Sequence, residues 1–410
     1  LSIIKTSTPP KNNKEKYNME TNSELKRFGR SAWFKRSAAL ALAAGVVVGL
    51  AACAPASDDG GGSAGTVDAA GLEEATKRLK AAQEPPTWQG PDAPVDISGL
   101  AGKRVVYISF ADTIPVLNYW STTVKQLAND YAGVDVQVID GAFSVDNANA
   151  AFQQAIETKA DAVFLQAWFA DQFTAQIAEA QAAGIKVITG NTGSMEAGLV
   201  GGQDAEISFD YAEVGRLQAD WFISDSKGEG KGLLVTSSDV PASQTQEDAV
   251  VAQVAALCSA CELEVQDVQI PQWETSIPTL FQSTLNSKPE ITYYLPVYDG
   301  QSLSGLGALR TAGADNIQVG SFNATNGIVQ QINDPTSALK MDIGGDNTWW
   351  SYAATDTIFR VLTDTTPIQN YFIGLRVFDQ SNKDLIQGDD ENAWYGYTGY
   401  VQEFEKLWGK

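Results

Sequence analysis

The chain has 410 residues, 44% of them hydrophobic, with 10 Trp, 13 Tyr and 16 Phe, enough to bury the cores of two or three globular units. It contains no histidine, which excludes Ser-His-Asp and Cys-His catalysis, His-ligated zinc and His-based pH switching. A net charge of −22 argues against nucleic acid as a partner, since a strongly acidic surface repels phosphates.

The charge is unevenly spread. Residues 1–52 carry nine basic side chains against three acidic ones, and the basic cluster ends at Lys35-Arg36. Ser37–Ala52 follows without a charge, too short a run for a comfortable membrane span, which needs roughly 20 residues. It fits the apolar region of a secretory signal. Leu50-Ala51-Ala52-Cys53 resembles a bacterial lipobox, and a Gly-rich tether follows it. Residues 19–53 are therefore expected to be a lipoprotein signal peptide ending at a lipidated Cys53. Acyl chains on Cys53 would hold the protein to the extracytoplasmic face of the membrane. Residues 1–18 are assigned no role. Residues 54–102 are expected to be a flexible tether and a spacer helix (Asp68–Ala82) outside the main fold.

Folding proper is expected from Lys103. Arg104–Phe110 is a buried strand by its β-branched run. Leu117, Trp120, Val124, Leu127 and Tyr131 recur at helical spacing. Val134–Val138 is a second strand, Asn147–Lys159 a helix, Asp161–Leu165 a third strand. Asp171–Ala183 is a helix closed by Gly184, Lys186–Thr189 a fourth strand, and Leu199-Val200 part of a fifth. The alternation then restarts. Helices are expected at Tyr211–Phe222, Ser243–Leu257, from Pro278 to Leu285, at Leu303–Thr311, Asn326–Ile332 and Thr348–Leu362. Strands are expected at Gly232–Thr236, Leu263–Gln269, Ile291–Leu295, Ile317–Phe322 and Met341–Ile343, with an extended segment at Tyr371–Phe378. This order predicts an α/β protein of two consecutive units of similar size, each a parallel sheet with helices on both faces. Cys258 and Cys261, a Cys-x-x-Cys pair without a second pair or a histidine, read as a small structural disulfide in an oxidising compartment. Asp379–Asp384 begins like a calcium loop but has Lys383 at its fifth position and no Gly at its sixth, so it reads as a surface turn. No phosphate loop, nucleophile elbow or Rossmann fingerprint is present, and no cofactor is expected.

From about Lys103 onward the chain resembles the type I periplasmic sugar-binding proteins, the ribose-binding-like receptors of ABC transporters. The likeness rests on Val105–Pro115 followed by Asn118-Tyr119-Trp120, on Ala155-Ile156 and Asp161–Gln166, on Ala180–Thr189, and on Gly307–Gly313 followed by Val319–Asn323. It implies an α/β fold of two doubly wound parallel-sheet lobes (103–209 with 347–373, and 210–346 with 374–410) joined by a three-segment hinge, with crossings near Ser208–Asp210, Gly344–Asn347 and Tyr371–Arg376. Ligands of open α/β sheets sit at the carboxyl ends of the strands. Sugars need aromatic surfaces for ring faces and polar groups for the hydroxyl rim. The candidate ligand residues on those terms are Phe110, Asp112, Asn118, Trp120, Gln166, Trp168 and Asn191 in the first lobe. In the second lobe and at the crossings they are Asp210, Gln244, Gln246, Tyr298, Asp299, Asn323, Asp346 and Trp349. Asn191-Thr192 stands where ribose-type receptors carry an Asp-Arg pair, so a ribose pose and an anionic ligand are disfavoured.

The expected function is a monomeric, lipid-anchored solute-binding protein that captures a neutral sugar or polyol-like ligand and delivers it to an ABC permease. Two alternatives are a ligand sensor feeding a membrane kinase or chemoreceptor, and a carboxylate-dependent glycoside hydrolase. Fold alone does not separate transport from sensing. No catalytic or metal residue is assigned.

Overall fold

The computed structural model describes residues 67–193 and 198–410. The signal peptide, Cys53 and most of the Gly-rich tether lie outside the described residues.

The first lobe is built on β1 (Arg104–Ser109), β2 (Asp135–Asp140), β3 (Ala162–Gln166), β4 (Lys186–Gly190) and β5 (Ala205–Ile207). They pair in the order β2-β1-β3-β4-β5, all parallel. Parallel strands covered on both faces need nearly continuous apolar sequence, and β1 and β3 supply it. The crossovers are α2 (Pro115–Ala132), α3 (Val145–Thr158) and α4 (Thr174–Ala182). The fifth strand lies at Ala205–Ile207; Leu199 and Val200 are about half exposed and precede a turn. Asp204 fixes this strand: its carboxylate accepts from Val187 N at 2.8 Å, which pins β5 beside β4.

The second lobe has β6 (Lys231–Thr236), β7 (Glu262–Asp267), β8 (Tyr293–Pro296), β9 (Gln318–Phe322), β10 (Leu339–Gly345) and β11 (Leu375–Asp379). Their order is β11-β10-β9-β8-β6-β7, parallel except for β11 against β10. Its helices are α5 (Tyr211–Asp225), α6 (Pro241–Leu257), α7 (Trp273–Ser287) and α8 (Asp299–Ala312). Pro278 lies inside α7, which opens five residues earlier at Trp273. Cys258 and Cys261 are disulfide-bonded at the turn from α6 into β7.

The chain passes between the lobes after β5, after β10 into α9 (Asn347–Leu362), and before β11. α9 packs on α2 and the β4–β5 edge of the first sheet. The short α10 (Glu391–Tyr395) follows β11, and α11 (Tyr400–Leu407) then returns to the first lobe, against α9. That return departs from the assignment of all of 374–410 to the second lobe. It is driven by aromatic burial: Tyr352 stacks on Trp408, ring centroids 5.8 Å apart, and Phe359 meets the same indole edge-on at 5.2 Å.

Residues 69–100 also depart from the expected spacer. α1 (Ala69–Ala82), N-capped by Asp68, packs on α5 and α6, burying Gly71, Ala75 and Leu79. Arg78 fastens it through Nε to Asp220 (2.8 Å) and Nη2 to Glu213 (2.7 Å). The chain then runs across to the first lobe, where Trp88 stacks on Trp349 at 5.9 Å and Val95 N bonds Leu407 O at 2.9 Å. Inside α9, the buried Arg360–Asp356 pair (2.6 Å) ties this region together. Arg360 Nη2 donates to Ala93 O, while the Tyr371 hydroxyl and the Trp408 indole N–H donate to Asp356, each at 2.8 Å. No described helix is long and apolar enough to cross a membrane.

Candidate functional site

The carboxyl ends of both sheets face one another across a cavity of about 240 Å³, small-molecule in scale. The two lobes open onto it in the same way. After β1 the chain turns through Phe110–Ile114 into α2, and after β6 through Ser237–Val240 into α6. Each helix begins with a proline in its first turn, Pro115 and Pro241, where a missing N–H costs nothing and the fixed φ sets the helix direction. Ile114 and Val240, the residues before them, line the cavity from opposite sides.

Its aromatic walls are held from behind. Phe110 is gripped edge-on by Phe143 (5.3 Å) and Trp168 (4.7 Å). Trp273, at the start of α7, donates its indole N–H to Val268 O at 2.8 Å. A side chain at Gly300 would run into that indole, so glycine lets α8 and Trp273 pack together. Trp120 packs at 4.6 Å on Trp350, and its indole N–H donates to Asn347 Oδ1 at 3.0 Å.

The polar groups are few. Asn191 follows β4 with φ +56°, and Asn323 follows β9 with φ +129°. Asparagine tolerates the first; the second is a strained conformation of the kind concentrated at functional sites. Asn191 Oδ1 accepts from Phe209 N at 3.4 Å, while its Nδ2 is buried without a partner among the described residues. Tyr298 accepts from Ser243 Oγ at 3.2 Å, which leaves its own hydroxyl proton to give. Burial pushes the Tyr298 and Tyr211 phenols up, so both stay neutral donors.

Asp299 lines the cavity but is already engaged. Its Oδ1 accepts from Ser321 Oγ at 2.8 Å and its Oδ2 from Thr325 N at 2.6 Å. Burial raises the Asp299 carboxyl. Burial and the adjacent Asp299 raise Asp342 further. Among the described residues, no lysine or arginine lines the cavity. Among the described residues there is no cluster of three or more metal-ligating side chains.

Six of the sequence candidates line this cavity: Phe110, Trp120, Asn191, Tyr298, Asp299 and Asn323. The others lie elsewhere. Gln166 is fully buried beneath α2, its Nε2 3.4 Å from Leu117 O. Trp168 packs into the core formed with Phe152 and Phe173. Asn118 is exposed on α2, and Asp112 sits half-buried with its N–H on Asp140. Gln244 points outward to Asp248 at 2.9 Å, and Gln246 is buried against Val297 O at 3.2 Å. Asp210 caps α5 on a separate cavity behind the hinge. Asp346 caps α9, and Trp349 is wholly buried between Trp88 and Tyr400.

The sequence reasoning missed Ile114, Val116, Tyr211, Val240, Ile270, Trp273, Leu303 and Ile328. Seven of these are apolar or mainly apolar side chains without the marks of hydroxyl binding, and Tyr211 reads from sequence as part of the apolar stripe of its helix. Their one signal was position, since each sits within a few residues of a strand end or helix start on this face.

The periplasmic binding protein domain model matches residues 105–366, well over half of the chain. The chain belongs to the periplasmic binding protein family. Solved structures share its fold. A solute-binding protein of an ABC transporter from Agrobacterium vitis, with bound allitol, aligns at TM-score 0.62 and 19% identity, covering 70% of this chain and 98% of that one. A 5-methylthioribose transporter solute-binding protein from Thermotoga lettingae, in complex with 5-methylthioribose, aligns at TM-score 0.65 and 16% identity, covering 77% and 99%. A protein from Mycobacterium smegmatis in complex with β-D-fucofuranose aligns at TM-score 0.60 and 15% identity, covering 74% and 98%. A search of curated protein sequences gives no match.

In family terms the interlobe cavity of this binding protein occupies the expected place, between two sheets whose carboxyl ends converge. The hinge floor beneath it is aromatic. Trp120, Trp350 and Phe209 from the first-lobe side meet Phe322 and Tyr211 from the second, Phe209 standing 6.4 Å from Phe322.

Proposed function

We propose that this protein is an extracytoplasmic receptor that captures an uncharged, hydroxyl-bearing small molecule between its lobes and passes it unchanged to an ABC permease. The observation that carries this is the cavity itself. Both lobes contribute side chains to it, its free polar groups are neutral donors and acceptors (Asn191, Tyr211, Tyr298, Asn323), and among the described residues no cationic side chain lines it to hold a phosphate or carboxylate. The sugar- and polyol-bound structures that share the fold support the same ligand chemistry. Hinge closure of paired lobes supplies capture and release.

The lipobox-like Leu50–Cys53 supports a membrane anchor at Cys53 on the outer face, which would place the receptor beside its permease. A sugar and polyol panel tests the ligand, because a molecule that binds only the folded state raises its melting temperature. The expected result is a shift with one or more neutral members, recovered intact, and none with sugar phosphates. Release of a cleaved product from a glycoside overturns the receptor reading in favour of hydrolysis. Incorporation of labelled fatty acid into the exported protein, lost in Cys53→Ser, tests the anchor.

A further inference from the structure

The cavity is chemically two-sided, and the two sides are laid out along the sheets. The hinge crossings leave from β5 and β10 and enter β11, so the ends of β4 and β9 are near the hinge, while β1, β6 and β7 lie toward the opposite edge. The unengaged polar groups gather at the hinge end. Asn191 follows β4, Asn323 follows β9, and Tyr211 packs on Phe322, the last residue of β9, while Tyr298 stands midway, 6.4 Å from Phe322 and 6.2 Å from Trp273, its hydroxyl accepting from Ser243 of α6. The outer end is apolar. Phe110 and Ile114 come from the loop after β1, Val240 from the loop after β6, Ile270 and Trp273 from the loop after β7, and Leu303 from the face of α8.

A simple hexose has hydroxyls all around its rim. At the outer end they would meet phenylalanine, isoleucine, valine and tryptophan, and each buried hydroxyl left without a partner costs about tenfold in affinity. An apolar group there gains affinity instead, as surface leaves water.

We infer that the ligand of this cavity is amphipathic: a hydroxylated head seated at the hinge among Asn191, Tyr211 and Asn323, with the Tyr298 hydroxyl midway, and a bulky apolar substituent reaching outward between Ile114, Val240, Ile270 and Trp273. The class is a furanoside or polyol carrying an alkylthio, alkyl or aryl group. This rests on the receptor reading and specifies which member of its ligand class the site takes. The buried, unpartnered Asn191 Nδ2 marks the head end independently of the apolar walls.

The test uses matched pairs in titration calorimetry: ribose against 5-methylthioribose, and methyl against phenyl β-glycosides of glucose, galactose and arabinose. At least one substituted member should bind about tenfold or more tightly than its parent. Leu303→Ser, on an exposed side chain, should shrink that ratio by lowering the affinity of the substituted member more than that of its parent, with the unliganded melting temperature in place. Equal or tighter binding of every parent sugar overturns the amphipathic assignment and leaves the receptor reading standing. A ratio unmoved by Leu303→Ser together with Ile114→Thr overturns the placement of the apolar group. Binding of no member of any pair counts against this inference, whereas hydrolysis of a glycoside removes the receptor reading itself.

Discussion

Asp346→Asn isolates a buried carboxyl at the crossing from β10 into α9. Asp346 is 1% exposed and caps α9, its Oδ1 accepting from Trp349 N at 2.9 Å. Burial pushes its pKa up to about 7, with Glu391 adding to the rise and the N–H groups of Trp349 and Thr348 opposing it. In the unfolded chain the same group titrates near 3.9. The native state therefore holds a proton that the unfolded state gives up, and stability from this group falls as pH rises from about 4 to about 7, then levels off. At about 1.4 kcal/mol per unit, the loss is up to roughly 4 kcal/mol. Asparagine keeps the capping oxygen and cannot ionise. The variant should match the wild type near pH 4 and exceed it by up to roughly 4 kcal/mol at pH 8, read from urea unfolding followed by tryptophan fluorescence. The wild-type-minus-variant difference cancels the other raised carboxyls, Asp299, Asp342, Glu206 and Asp220. A difference that does not change across this pH range would refute the argument, since it would mean Asp346 is ionised in the native state throughout.

Asn323→Gly and Asn191→Gly remove the amides at the head end while suiting the positive φ of each position, so the fold is retained. Each should weaken ligand binding in calorimetry by more than about 1 kcal/mol, and unchanged affinity removes that residue from the site. Asp356→Ala leaves Arg360 buried without its carboxylate and should cost about 3–5 kcal/mol in urea unfolding; a loss below about 1 kcal/mol would show that the pair is not shut away from water. Gly71→Val would drive a side chain into the Leu257 carbonyl, so α1 should lift from α6 and expose the 67–84 segment to proteolysis that the wild type resists. Equal protease resistance would mean that α1 does not dock there.

The sheets were legible because their sequence obeys one rule. A parallel strand buried on both faces needs a short β-branched or aromatic run, and Arg104–Ser109, Ala162–Gln166 and Lys231–Thr236 all have one. β5 was misplaced because Ala205–Ile207 is three residues long with a central glutamate, while Leu199-Val200 carries the stronger propensity. The pattern of α1 announces an apolar stripe but not its partner; docking on α5 and α6 is a tertiary event. The site was half legible for a related reason. Position at a strand end is readable from sequence, but side-chain direction is not. Gln166 and Trp168 come from the same strand end yet turn into the core, while Ala167 between them faces the cavity. Trp349 and Trp350 are both buried, one against Tyr400 and the other against Trp120. Hydrogen-bonding capacity marks polar residues in a sequence and leaves the apolar walls unmarked.

Everything functional here depends on reversible capture of an intact guest. The most direct measurement is titration calorimetry of the whole chain with the tightest-binding panel member, followed by mass analysis of what is released on unfolding the complex. The account predicts a saturable one-to-one isotherm and quantitative return of the starting molecule. Heat that continues after saturation, with a fragment of changed mass in the released pool, would contradict it.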